Sequence, residues 1–153
     1  FKKIVMLNPA PARSLPDSIL NKLDFIIPNE TEAELLTGIR IEQAEDAKRA
    51  ADLLLAKGIK KVMITLGSKG VYYTDGTTAE LFPAYTVQAV DSTAAGDTFC
   101  GAFATALSKG YAIAESIQFA QAAAALSVTK LGAQSSIPSL TEIKTLMQSS
   151  QPK

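Results

Sequence analysis

The sequence predicts a single α/β domain over residues 1–153, layered α/β/α around a mostly parallel central sheet. Three observations carry this. Short, largely apolar runs at residues 4–7, 25–27 and 61–66 have the composition of buried strands. Segments with apolar residues three and four apart, at 43–57, 99–107 and 112–129, have the spacing of helices with one buried face. Strands separated by helices are the pattern of a sheet covered by helices, and 153 residues at 47% hydrophobic are enough to build its core.

In chain order, residues 4–7 (IVML) form the first strand, stopped by Asn8 and Pro9. Pro9, Pro11 and Pro16 then hold a loop. Residues 17–23 make a short helix with Ile19, Leu20 and Leu23 inward, and residues 25–27 a second strand ended by Pro28. Asn29 is a good helix N-cap, with Glu32 placed to complete a capping box; Ala33, Leu35 and Leu36 follow, and Gly38 closes the helix. Residues 43–57 are amphipathic, with Ala44, Ala47, Ala51, Leu54 and Leu55 inward. The strand at 61–66 leads through Gly67-Ser68-Lys69-Gly70 into 71–73, and two glycines in so short a link mark a tight turn that lets a backbone or a ligand approach. Asp75-Gly76 signals a hairpin, and two short strands are expected around Pro83, the second at 85–90. A long alanine-rich helix at 112–129 packs closely on a neighbour, Ser139 and Glu142 form the capping box of a last helix, and the tail at 148–153 frays.

Composition excludes several function classes. Fifteen Lys+Arg against fifteen Asp+Glu leave no basic excess for nucleic acid. No apolar run is long enough to span a bilayer, and one cysteine makes no internal disulfide, so a cytoplasmic location is expected. With no histidine, acid–base chemistry falls to carboxylates or lysine, and a Cys–His nucleophile cannot be assembled from Cys100. The start at Phe1, with a strand almost at once, is expected of a piece of something longer.

The chemistry centres on residues 91–99 (DSTAAGDTF). Small residues at Ala94, Ala95 and Gly96 stand where a strand turns into a helix, whose first amides lack intrahelical partners and face anions such as phosphate. Asp97 in that turn is suited to take a proton from a hydroxyl while the hydroxyl attacks phosphorus. Asn29, Thr65 and Asp97 each end or follow a predicted strand, so they are expected to converge at the carboxyl ends of the sheet. Each has a plainer explanation: a turn glycine followed by a first-turn acid, and a cap pair at Asn29 and Glu32. Lys69 is not a P-loop lysine, since the G-x-x-x-x-G-K-[ST] spacing is absent.

Residues 91–103 resemble the second signature of the ribokinase-like (PfkB) carbohydrate kinases, D-T-x-G-A-G-D-x-F. Residues 8–13 (NPAPAR), 28–34 (PNETEAE), 65–70 (TLGSKG) and 132–136 (GAQSS) are similar to other segments of that family, in its order. The resemblance covers nearly all of this chain but only the C-terminal, nucleotide-binding half of a family member. It implies a Rossmann-like, ribokinase-like fold truncated on its N-terminal side, without the sugar-binding half and lid.

The resemblance also implies a function: transfer of the γ-phosphoryl of ATP to a primary hydroxyl of a small sugar, D-ribose first, in the parent protein. Fructose, a keto-deoxy sugar acid or a nucleoside are the sister substrates, and an inactive nucleotide-binding fragment is the reading from a different class. The family's roles map onto Asp97 as base, with the amides of Ala94, Ala95, Gly96 and Asp97 at the phosphoryl group. Asn29 meets the nucleotide, and Thr65, Leu66, Gly67, Ser68, Lys69 and Gly70 border it, the part of the Lys69 side chain left open. Gln121 lies near adenine, and Glu32 acts on Mg²⁺ through water. Asp91, Thr93, Ser127, Lys130, Gly132 and Ser136 enclose K⁺, several through backbone oxygen. A homodimeric parent belongs to the same resemblance, although family dimers use the absent half. Three positions depart from the signature: Ser92 for Thr, Cys100 for Asn and Ala94 for Gly. Because alanine is costly at positive φ, Ala94 is expected to be helical or nearly so.

Overall fold

The computed structural model describes residues 3–149, so Phe1 and the end of the predicted fraying tail, 150–153, lie outside the described residues. The elements run β1 (Met6–Leu7), α1 (Asp17–Leu20), β2 (Phe25–Ile26), α2 (Glu30–Thr37), α3 (Ala44–Ala56), β3 (Val62–Thr65), a 3₁₀ turn (Gly67–Lys69), β4 (Val71–Thr74), β5 (Ala79–Phe82), α4 (Ala95–Ser108), α5 (Ile113–Ser127) and α6 (Leu140–Ser149). One five-stranded sheet has the order β1-β2-β3-β4-β5. β1, β2 and β3 are parallel, with Met6 opposite Phe25 and Ile26 opposite Val62, whereas β4 returns antiparallel to β3, with Ile64 opposite Tyr72. The sheet is therefore mixed: the crossovers through α1 and α2–α3 make parallel neighbours, and the four-residue link at 67–70 makes an antiparallel one.

The chain divides into two compact units, the first running to Gly67 and taking up Val71–Leu81, the second comprising Ser68–Gly70 and the chain from Phe82 onward. The core of the first unit gathers Leu20, Ile26, Ala33, Ala47, Ala51, Leu54, Val62, Ile64 and Tyr72. Small alanines on α2 and α3 let those helices approach the sheet, and fully burying a side chain such as Leu54 contributes about 1.5–3 kcal/mol. In the second unit α5 packs on α4 and α6, around Tyr85, Ala106, Phe119, Ala122, Ala123 and Ile143.

Several expectations are corrected. Ile4 and Val5 are exposed and outside β1: the Val5 amide donates to the Asp24 carboxylate at 2.9 Å rather than to a ladder partner. Ile19 and Leu35 are exposed, Ala44 faces solvent, and α1 stops at Leu20. Residues 85–90 alternate in sequence yet form no strand; the Val90 and Asp91 amides both donate to the Val128 carbonyl, at 2.7 and 3.0 Å. Alternation is a side-chain pattern, and it becomes a strand only where a neighbour offers a ladder.

Candidate nucleotide site

In the first unit the parallel pairing of β2 and β3 runs on past both strands. Thr65 N donates to Pro28 O at 3.0 Å, and Asn29 is bridged to Thr65. This places Asn29 and Thr65 side by side at the carboxyl end of the sheet, as the sequence predicted for that pair. The capping box is complete: Glu32 N donates to Asn29 Oδ1, and Asn29 N donates to Glu32 Oε2, each at 2.9 Å. One carboxylate oxygen of Glu32 and the amide nitrogen of Asn29 lie outside that exchange, so a cap and a ligand contact are compatible in the same two residues. Leu66 is buried and anchors the turn beyond, while Gly67, Ser68 and Lys69 are exposed.

In the second unit the corner at 91–97 is the centre. Ala94, expected to be helical, instead caps α4 in the left-handed region, φ 61° and ψ 13°. The chain must turn sharply between the extended segment and the helix axis, and that geometry overrides the preference of a β-carbon. Ala95 N donates to Ser92 O at 3.3 Å and Thr98 N to Ala94 O at 2.9 Å, so Gly96 and Asp97 supply the first-turn amides that face outward by position. The Asp97 side chain is exposed and stands on a cavity of about 490 Å³, lined also by Ala94, Thr98, Gly101, Gln134 and Ile137.

The loop after α5 is tied to this corner. Asp91 accepts from Thr93 N at 2.9 Å through one carboxylate oxygen and from Gly132 N at 3.1 Å through the other, and these bonds, those with Thr93 first, hold its carboxyl below the usual carboxylate range. Ser127 and Ser136 are buried and donate to Ala124 O and Ala133 O. The Lys130 ammonium is turned to Glu142 at 2.8 Å. Asp91, Thr93 and Gly132 thus come together around one carboxylate. Gln121 is buried, its amide given to the Phe82 and Pro83 carbonyls. Sequence reasoning did not single out Thr98, Gly101 or Gln134; Gly101 is four residues from Asp97 and Thr98 is next to it in the same helical turn, and no local signal marks Gln134 as facing them.

Residues 2–140 match the sequence profile of the pfkB family carbohydrate kinases. The chain belongs to that family. It is 53% identical to the ribokinase of Haemophilus influenzae over 138 residues, covering 90% of this chain and 45% of that protein. Among solved structures it resembles the ribokinase of Thermotoga maritima, with a TM-score of 0.89 and 44% identity over 97% of this chain and 50% of that one. It also resembles Arabidopsis thaliana ribokinase complexed with ribose and ATP, with a TM-score of 0.87 and 34% identity over 96% of this chain and 48% of that one. This pfkB-family chain spans about half the length of the relatives it matches.

Proposed function

We propose that the chain is the C-terminal, nucleotide-binding half of a kinase that phosphorylates a small sugar at a primary hydroxyl with ATP, converting D-ribose to D-ribose 5-phosphate. The observation that carries this is Asp97, exposed in the first turn of α4 beside amides free to meet a phosphate and at the edge of a cavity. The similarity to ribokinases, one of them complexed with ribose and ATP, supports the substrates. In the proposed step the Asp97 carboxylate takes the hydroxyl proton as the sugar oxygen bonds to the γ-phosphorus. The bond from that phosphorus to the β–γ bridging oxygen breaks, and ADP leaves. The Gly96 and Asp97 amides stabilise charge on the transferring group.

Asn29 and Thr65 are the residues for the phosphates, with Glu32 toward hydrated Mg²⁺, whose charge would be balanced there by one unengaged carboxylate oxygen. For K⁺ the donor set fits. Asp91 is a fixed carboxylate, and the Ser127 and Ser136 hydroxyls each donate their single hydrogen to a carbonyl, which leaves oxygen lone pairs. Thr93, Lys130 and Gly132 would add backbone oxygen.

A coupled assay for ADP release, with ribose and ATP, on this chain and on the full-length protein tests the reading. The full-length protein should turn over and this chain should not. Asp97→Asn should lower kcat by about 10²–10⁴-fold with ATP affinity little changed. Near-normal turnover by the variant removes Asp97 from the mechanism. The second reading, a nucleotide-binding fragment without activity, is favoured by the half-length match; ATP binding by this chain without turnover is its signature. A panel with fructose, a keto-deoxy sugar acid and a nucleoside decides the acceptor.

A further inference from the structure

Gln121 carries more structure than a contact to a base would require. It sits on α5, about 6% exposed, and its Nε2 donates to Phe82 O at 2.9 Å and to Pro83 O at 3.2 Å. Both hydrogens of the side-chain amide are thereby committed to main chain. Its Oε1 is buried with no protein partner, so the hydrogen bonds that hold the side chain are those of its donors. The carbonyl it holds has a second close neighbour. Gly70, at φ +108°, lies against the same segment so tightly that a β-carbon there would overlap Phe82 O and stand 3.0 Å from Ala84 N. The turn at Ser68–Gly70 therefore packs against the main chain of 82–84, whose Phe82 and Pro83 carbonyls Gln121 holds.

We propose that Gln121 is a positioning residue for the nucleotide-bordering turn, acting through the Phe82 and Pro83 carbonyls, and that its amide does not read the base. The inference rests on the reading above that Ser68–Gly70 borders the nucleotide. Adenine and guanine differ in the groups an amide reads. A base-contacting glutamine therefore discriminates between them, whereas a residue that sets the turn weakens both alike.

The test is steady-state kinetics of full-length Gln121→Met, which keeps the side chain's length and removes its donors. The Michaelis constants for ATP and GTP should rise together, roughly tenfold, with the ATP-to-GTP preference and the sugar KM unchanged. Ser116→Ala, at the other buried and unpartnered side-chain oxygen of α5, should change neither. A shifted ATP-to-GTP preference, or unaltered constants, overturns the proposal. Wild-type hydrogen exchange needs no variant to fold: the Ser68–Gly70 amides and the Gln121 carboxamide should open together, and free exchange of the turn beside a protected carboxamide also overturns it. If the wild type binds neither nucleotide, the nucleotide reading itself has failed, and the exchange experiment still decides whether the clamp exists.

Discussion

Ala94→Gly is the sharpest probe of the corner. Alanine held at φ 61° costs about 1–2 kcal/mol relative to a right-handed conformation. Glycine removes that strain but adds freedom to the unfolded chain, worth about 0.4–1 kcal/mol. The lost methyl is half-buried at the cavity wall, so its removal forfeits about half of the ~0.8 kcal/mol of a buried methylene. Central values leave glycine ahead by roughly 0.4 kcal/mol, a rise in Tm of about 1–2 °C for a chain of this length. Urea unfolding of the two proteins, at constant m-value, measures it. The helical conformation expected from the sequence predicts the opposite sign, because glycine inside a helix loses about 0.5–1 kcal/mol to alanine. A destabilised glycine variant would refute the left-handed corner and the outward aim of the Gly96 and Asp97 amides that follows from it.

Glu32→Gln separates cap from ligand. The amide oxygen still accepts from Asn29 N, so stability should change by less than about 0.5 kcal/mol, while turnover at limiting Mg²⁺ falls; equal turnover at all Mg²⁺ concentrations would leave Glu32 a cap alone. Asn29→Ala removes the acceptor for Glu32 N and should cost about 1 kcal/mol in thermal unfolding, together with weaker ATP binding by calorimetry; intact ATP affinity would remove Asn29 from the nucleotide site. The Glu142 carboxyl is pulled from 4.5 down to about 2, first by the Lys130 ammonium and then by the Ser139 amide and hydroxyl. A depressed folded-state pKa stabilises above the unfolded value, and that contribution disappears as pH falls from about 4.5 to about 2. Glu142→Gln should therefore flatten acid unfolding across that window, and an unchanged acid profile would show that the pair contributes nothing.

Much of the architecture is written locally. The capping boxes at Asn29–Glu32 and Ser139–Glu142 involve residues three apart, and the apolar face of α3 repeats with the helix itself, so both survive any tertiary context. The site's signature at 91–99 is equally compact, and its assignment to a kinase family needed no coordinates. What the local pattern misjudged are features set by neighbours far along the chain. Residues 85–90 carry the alternation of a strand, but the Val90 amide goes with that of Asp91 to Val128, and Ile4 and Val5 carry the composition of a buried strand but stay exposed beside the sheet's edge.

The sequence alone determined the α/β class, the capped helix starts at Asn29 and Ser139 and the acid that stands in the glycine corner, because the local signals for each lie within a few residues of one another. Tertiary structure decided the rest. It forced Ala94 into a left-handed turn, closed Asp91 onto Gly132 and buried Gln121 against the Phe82 carbonyl. Each of these joins residues whose energies are set by the direction the chain must take or by a partner about forty positions away, and no periodicity records that.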